Sequence, residues 1–379
     1  MYKKYYKEFL HSHSDKIHMA AHSHHFWPDI AKQGHMESYQ KSIELSDDKW
    51  GYIFEELVPD VQNLISGLLK FSRPKDIAFA PNTHDLTSKL ISCFFGRDKI
   101  NILTTNCEFH SLSRQLKRME EEDQFNIIYV DPESQNFEDD LKRNLENQNF
   151  DLIFLSQVFF NSGTLLKNEI IEKVIELKGE AVFALDAYHG FCAVPFDISP
   201  YEDDIYYLAG GYKYAQAGAG VCFMTLPKNC NLRPLITGWF ASFATLEDNS
   251  TNLVAYEESG MRFWGSTIDF TPFFRFRAVW NFFNNQGISI EIIDQYIKKL
   301  QTEFITNNPL NKLFTNTDLS SQGHFLTLKF ESADLALKKS KELREFGILT
   351  DFRGNRLRFG FAPYLNLDEV NKAKQLLSH

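Results

Sequence analysis

The side chains able to do chemistry gather at the ends of short apolar runs. DIAFA (76–80) leads into Pro81-Asn82-Thr83-His84, NILTT (101–105) into Glu108-Phe109-His110, and DLIFLS (151–156) into Gln157. AVFALD (181–186) ends on Asp186 with His189 beyond it, and IYYLAG (205–210) is followed by Lys213. If these runs are parallel strands, their carboxyl ends share the edge where open α/β sheets bind ligands. A lysine, an aspartate and a helix N-terminus on that edge suit pyridoxal phosphate. The amine can hold the aldehyde covalently, and a carboxylate keeps the pyridine nitrogen protonated so that the ring draws electrons. The phosphate asks for free N–H groups and a favourable dipole at a helix start, where Asn82 and Thr83 stand. Phe109 is placed to cover the ring. Taken singly, each residue has an ordinary reading, the Asp as a cap and the Phe as core; their joint placement argues for a site.

The stretch DAYHGFCAVPFD (186–197), followed by GGYKYAQAGAG with Lys213 27 residues after Asp186, resembles the fold-type I pyridoxal phosphate enzymes of aminotransferase class V. Within that class it is most similar to kynureninase. Kynureninases carry D-x-x-H, then Y-K-Y before a Gly-rich turn, then G-W, and near the end D-F-R, an Arg and a P-x-Y-N-like segment. The chain shows Asp186 and His189, Tyr212-Lys213-Tyr214, Gly238-Trp239, Asp351-Phe352-Arg353, Arg358 and Pro363-Tyr364-Leu365-Asn366. The resemblance implies that Lys213 binds the cofactor aldehyde, Asp186 pairs with the ring nitrogen and Phe109 stacks on the ring. It implies that Asn82, Thr83, Tyr212 and Trp239 bind phosphate, with His189 beside Asp186 or the ring oxygen. RFWGST (262–267) is similar to a class V segment that reaches the phosphate of the neighbouring subunit, so Ser266 and Thr267 would be donated across a homodimer with shared active sites.

Two departures stand out. AAHSHHFWP (20–28) occupies the place of the kynureninase G-N-S-x-G-x-x-P segment, putting His22 where the family has an Asn near the substrate carboxylate. Phe109-His110-Ser111-Leu112 replaces F-P-S-D, removing an aspartate. The cluster His18, His22, His24 and His25 lacks an acidic or Cys partner at ligand spacing, so an ordered loop at the cofactor mouth, with no metal, is expected. Arg358, whose rigid fork matches an α-carboxylate bidentately, is expected to take the substrate carboxylate, with Arg353 or Arg356 as the alternatives. His22 and His110 are expected near the substrate. Tyr212 either binds phosphate or, with His22 or His110, supplies an acid-base group.

These residues imply an enzyme that cleaves an amino-acid substrate at the β carbon, as a kynureninase-like hydrolase or lyase. An aminotransferase of the same class and a non-catalytic cofactor-binding protein are the alternatives. A cysteine desulfurase needs a thiolate on a loop of the C-terminal half, and no cysteine follows Cys230.

The elements that must position this chemistry are legible in the pattern. Apolar runs alternating with helical segments predict a parallel sheet between helices. GVCFMTL (220–226) follows IYYLAG too closely for a parallel crossover, so it should pair antiparallel and complete a mixed, mainly parallel sheet of about seven strands. A helix-like stretch runs from Thr271 to Asn285. HFLTLKF (324–330), a helical ADLALKKSKELREFG, two runs about the turn Gly354-Asn355, and a helix opened by Asn366 then form a small α+β domain. The expected division is an N-terminal segment at the site mouth (1–35), a large cofactor-binding domain (36–250), and an interface segment with the small domain (251–379).

The 379 residues, 43% hydrophobic and 24% charged, fit a globular protein and exclude a disordered one. A net charge of −10 disfavours a broad nucleic-acid interface. Five cysteines without a CxxC pair exclude a disulfide framework or zinc ribbon, and no apolar run approaches a membrane span. A cytoplasmic protein with no nucleic-acid or membrane partner is expected.

Overall fold

In a computed structural model, which describes residues 2–245 and 253–377, seven strands form the central sheet. Following β1 (Ile17–His18), they are β2 (Ile77–Ala80), β3 (Ile100–Thr105), β4 (Phe125–Val130), β5 (Leu152–Ser156), β6 (Val182–Asp186), β7 (Ile205–Ala209) and β8 (Cys222–Thr225). Their order across the sheet is β2-β8-β7-β6-β5-β3-β4. The pairs among β3 to β7 are parallel, whereas β8 runs antiparallel to both β7 and β2. The sheet is therefore mixed, as the short link between the last two runs predicts. Because β8 is reversed twice over, β2 points the same way as β7, and the useful strand ends share one edge.

Strand composition follows position. β5, β7 and β8 are buried at every residue because helices cover both faces. The edge strand β4, FNIIYV, is largely half-exposed and keeps Asn126 facing water.

The C-terminal unit holds a three-stranded antiparallel sheet ordered β11-β12-β9, from β9 (Phe325–Lys329), β11 (Asp351–Arg353) and β12 (Arg356–Gly360). β10 (Ile348–Leu349) instead pairs parallel with β1, so the N-terminal segment is stitched to this unit. Met19 donates to Leu349 O at 2.8 Å, and Gly360 donates to Met19 O at 2.7 Å. This stitching delivers residues 20–25 to the edge of the main sheet. The helix Leu367–Leu376 opens with a capping box between Asn366 and Glu369, satisfying two free N–H groups at once. The expected domain boundary at 250 lies outside the described residues.

The aromatic helix Thr271–Asn285 supports the loop that follows Lys213. Buried Arg275 donates from Nε to Ala217 O at 2.7 Å and from Nη2 to Ala219 O at 2.8 Å, while Trp280 Nε1 donates to Ala215 O at 3.1 Å. Gly218 lies between these anchors at φ +75°, and a Cβ there would stand 2.4 Å from Trp27, so the loop needs its glycine. On its other side the helix packs against Ile30–Leu45, where a Cβ at Gly34 would come 2.5 Å from the Phe274 carbonyl oxygen. No helix among the described residues is long and apolar enough to cross a membrane.

Candidate active site

A cavity of about 380 Å³ opens at the carboxyl edge of the main sheet. Five strand ends contribute to it: Asn82 and Thr83 after β2, Phe109 after β3, Ser156 at the end of β5, Asp186 at the end of β6, and Tyr212 and Lys213 after β7. His189 joins them from the turn after Asp186. Seven of the expected site residues are thus brought together by strand register and short loops.

Lys213 is half-buried, with Nζ against His189 Nε2 and 5.7 Å from the ring centroids of both Phe109 and Tyr188. Removal from water, reinforced by the positive charge of Arg358, lowers its amine to about 7. An amine so held is neutral and nucleophilic in about half of the molecules at pH 7, far more than a lysine in water. His189 is buried, and burial together with the Lys213 charge pulls it well below the usual imidazole range. It faces the lysine as a neutral ring.

Asp186 Oδ1 accepts from the Tyr188 N–H at 2.9 Å. Burial raises its carboxyl, opposed by that hydrogen bond and by Lys213, so a cationic partner in the cavity would restore its charge. Asn82 caps the helix Thr83–Ser92 by accepting from Asp85 N at 2.9 Å, and its first N–H groups face the cavity's end. Phe109 leaves 42% of its surface exposed beside Lys213, an open ring face rather than core. Amine, carboxyl, aromatic face and helix start on one cavity are the donor set that pyridoxal phosphate requires, and the residues present fit it.

Six expected residues lie elsewhere. Arg358 is not at the cavity surface: it is 1% exposed on β12, the middle strand of its sheet, ion-paired to Asp351 and donating from Nη1 to Phe160 O at 2.8 Å. The reason is register, since Asp351 stands directly opposite Arg358 across β11 and β12. Arg353 lines the cavity instead. His22 is buried beneath it, stacked on Phe325 with centroids 4.7 Å apart. His110 begins the helix His110–Met119 and faces a neighbouring polar groove with Arg114 and Arg118. Trp239 packs on Phe240 and Phe243 away from the cavity, and Ser266 and Thr267 are exposed in a loop that does not line it.

The structure gives partners to residues whose individual roles the sequence left open, and adds Ser23. Ser23 and His24 line the mouth, and His24 Nδ1 meets the Tyr212 hydroxyl. His18 turns to the Tyr364 hydroxyl at 2.9 Å and His25 to Phe26 O at 2.6 Å, so the N-terminal histidines serve separate partners. Glu108 is buried behind Ser156 and bonded to it and to Thr105. Its place after β3 was visible; its inward direction was not.

A family model described as aminotransferase class-V matches residues 35–351. No curated protein sequence matches the chain. Among solved structures, a lysine-to-alanine mutant of C-DES with glycine covalently linked to its pyridoxal phosphate cofactor aligns with TM-score 0.83 and 17% identity, over 98% of each chain. The cystine C–S lyase C-DES, in complex with its product cysteine persulfide, aligns with TM-score 0.80 and 17% identity, over 97% of this chain and 99% of that one. An apo cysteine desulfurase from Thermococcus onnurineus NA1 aligns with TM-score 0.77 and 15% identity, over 96% and 94%. At these identities the likeness is one of fold. The expected similarity to kynureninase in particular finds no counterpart among these structures.

Proposed function

The chain belongs to the aminotransferase class-V family, and from that premise we propose a pyridoxal phosphate-dependent lyase that breaks a bond at the β carbon of an amino acid. Dependence on pyridoxal 5'-phosphate comes with the family and its fold; the lyase reaction is our reading. One observation carries it. Lys213, with its amine near 7, shares a cavity with Asp186 and the Tyr212–His24 pair, while no cysteine among the described residues lines that cavity.

When bound, pyridoxal phosphate supplies an electron sink for the charge left at the substrate α carbon. Lys213 would hold the cofactor aldehyde, and its Nζ would be the base that takes the α proton. His189, neutral and against Nζ, positions that amine without adding a competing charge. Asp186 would keep a proton on the ring nitrogen, Phe109 would lie against the ring, and the N–H groups at Thr83 would take the phosphate. Tyr212, its hydroxyl shared with His24, hands a proton to the departing β substituent, so that the proton count balances.

The chemistry of sulfur decides between the readings. A desulfurase needs a thiolate that can reach substrate sulfur, yet Cys107 and Cys222 are buried with thiols pushed up to about 12 by their surroundings. One structure of this fold is that of a cystine C–S lyase, which supports elimination from a sulfur-bearing side chain. Kynureninase-like hydrolysis is the form of the same β cleavage in which carbon leaves. Leu112, where kynureninases carry aspartate, is a buried apolar residue, which favours the heteroatom substituent.

The test supplies cystine, S-substituted cysteines and kynurenine to the cofactor-loaded protein without any 2-oxo acid. Pyruvate and ammonia from the sulfur amino acids are the expected products. Alanine and anthranilate from kynurenine would move the assignment to the hydrolase, and turnover only after a 2-oxo acid is added would make it an aminotransferase.

A further inference from the structure

Behind Asp186 the cavity wall holds a second carboxyl. Ser156 and Asp186 are register partners on the parallel strands β5 and β6, so their side chains project from one face, about 4.8 Å apart at the backbone, and both line the cavity. Glu108 approaches Ser156 from the β3 side and is 4% exposed. Its Oε1 accepts from the Ser156 N–H at 3.2 Å and from Thr105 Oγ1 at 2.6 Å, while its Oε2 meets the Ser156 hydroxyl. Ser113 Oγ donates to the Glu108 carbonyl at 3.0 Å, so the turn that presents Phe109 is also tied down without the carboxyl. The charge that acts on Glu108 is that of Asp186, of the same sign.

A carboxyl in this place has two states with opposite effects on Ser156. Ionised, it only accepts, and Ser156 spends its one hydroxyl hydrogen on it. Protonated, it carries the proton on Oε2, because Oε1 already faces two donors, and it donates to Ser156 Oγ. The Ser156 hydrogen then turns toward Asp186. A donor at Asp186 favours the carboxylate, and the loss of a like charge behind it does the same. Burial brings Glu108 to about 7, so both states are reached near neutrality.

We propose that Glu108 is a positioning residue for the cofactor's ring nitrogen: its proton, passed on as the direction of the Ser156 hydroxyl, sets whether Asp186 is held as the carboxylate that keeps the ring protonated. This rests on the reading that sets Asp186 against that nitrogen. With Glu108 neutral the ring keeps its proton and draws electrons strongly. Once Glu108 ionises, Asp186 becomes the more basic partner, the shared proton moves toward it, and the ring draws less. The proton count closes, since Glu108 gives its proton to solvent and the Ser156 hydrogen only changes acceptor.

The experiment loads the protein with pyridoxal phosphate labelled with nitrogen-15 in the ring and follows that nitrogen's chemical shift, which separates pyridinium from neutral pyridine, between about pH 5.5 and about pH 8.5. Wild type should read as pyridinium at the acid end and move toward pyridine as Glu108 ionises. Glu108→Gln places an amide donor where the neutral acid has its O–H, so it should stay pyridinium across the range. Ser156→Ala removes the relay; it should lie nearer pyridine at the acid end and lose most of the response to pH. A Glu108 that only anchors the turn would leave Glu108→Gln superimposed on wild type at every pH, and that result overturns the proposal while the role of Asp186 stands. If wild type reads as neutral pyridine throughout and Asp186→Ala does not differ from it, Asp186 does not serve the ring nitrogen, and the proposal falls with that reading.

Discussion

Glu108 grips Ser156 at two points, accepting from its backbone N–H at 3.2 Å and from its hydroxyl, on the strand end that pairs in register with Asp186. Thr105 Oγ1 adds a third bond at 2.6 Å, and no cation among the described residues forms an ion pair with the carboxyl. Burial raises Glu108 from 4.5 to about 7, with Asp186 adding to the shift. A carboxyl raised on folding stabilises the fold fully below its unfolded value, and that contribution is lost as pH rises through the folded one.

The consequence is measurable in the cofactor-free protein. Between 4.5 and about 7 the folded chain binds the extra proton, so stability falls with rising pH by up to roughly 3 kcal/mol from this group. Glu108→Gln, which keeps the shape of the protonated acid, should match wild type at pH 4.5 and exceed it at pH 8 in urea denaturation. Parallel curves for the two proteins across that range would show that folding leaves the Glu108 carboxyl unshifted.

Lys213 offers a kinetic reading of its environment. A free lysine condenses with an aldehyde faster and faster up to about 10.5, whereas an amine lowered to about 7 should reach its plateau shortly above neutrality. Cofactor uptake by the stripped protein, followed by absorbance, should rise through pH 7 and level off by 8.5. Borohydride reduction and peptide mapping should then place the label on Lys213. A label on another lysine would remove it from the centre of the site.

Asn82 carries two duties that a single substitution separates. As a helix cap its loss should cost about 1 kcal/mol, because Asp85 N would lack its acceptor. As part of the phosphate end its loss should also weaken the cofactor. Asn82→Ala should therefore melt a few degrees lower without cofactor and bind pyridoxal phosphate several-fold less tightly, while Asn82→Ser restores the cap. Unchanged affinity in Asn82→Ala would leave the phosphate to Thr83 and the following N–H groups alone.

What the sequence made legible was set by short-range constraints. Strand ends, the reversed β8, the cap at Asn82 and the capping box at Asn366 follow from local apolar runs and spacing, and the residues they present reached the cavity together. Residues on long-range pairings were harder to place. Arg358 looks exposed along RLRFG until β11 and β9 flank it, and only the cross-strand register shows Asp351 opposite it. His22 and His24 are two residues apart, yet β1 pairing with β10 sends one beneath Phe325 and the other to Tyr212. Glu108 could be seen to follow β3, but its turn toward Ser156 depends on the neighbouring strand.

Ser266 and Thr267 test the assembly. Both are exposed and remote from their own cavity, while Leu235, Ile236, Trp239 and Val254 leave apolar surface exposed on neighbouring stretches of chain. Exposed apolar side chains in such number suit a face covered by a second copy, and two-fold pairing is the commonest closed arrangement. Light scattering should give twice 44.0 kDa. If the partner's loop completes the phosphate end, changing Ser266 and Thr267 together to Ala should weaken pyridoxal phosphate binding about tenfold, as expected for two lost charge-assisted bonds, without dissociating the dimer. Mixed dimers sharpen the point. Pairing a Lys213→Ala subunit with a Ser266→Ala, Thr267→Ala subunit leaves one intact lysine site facing an intact loop, and that site should bind cofactor with wild-type affinity. A fully active monomer, or a dimer indifferent to the loop change, would confine the site to one chain.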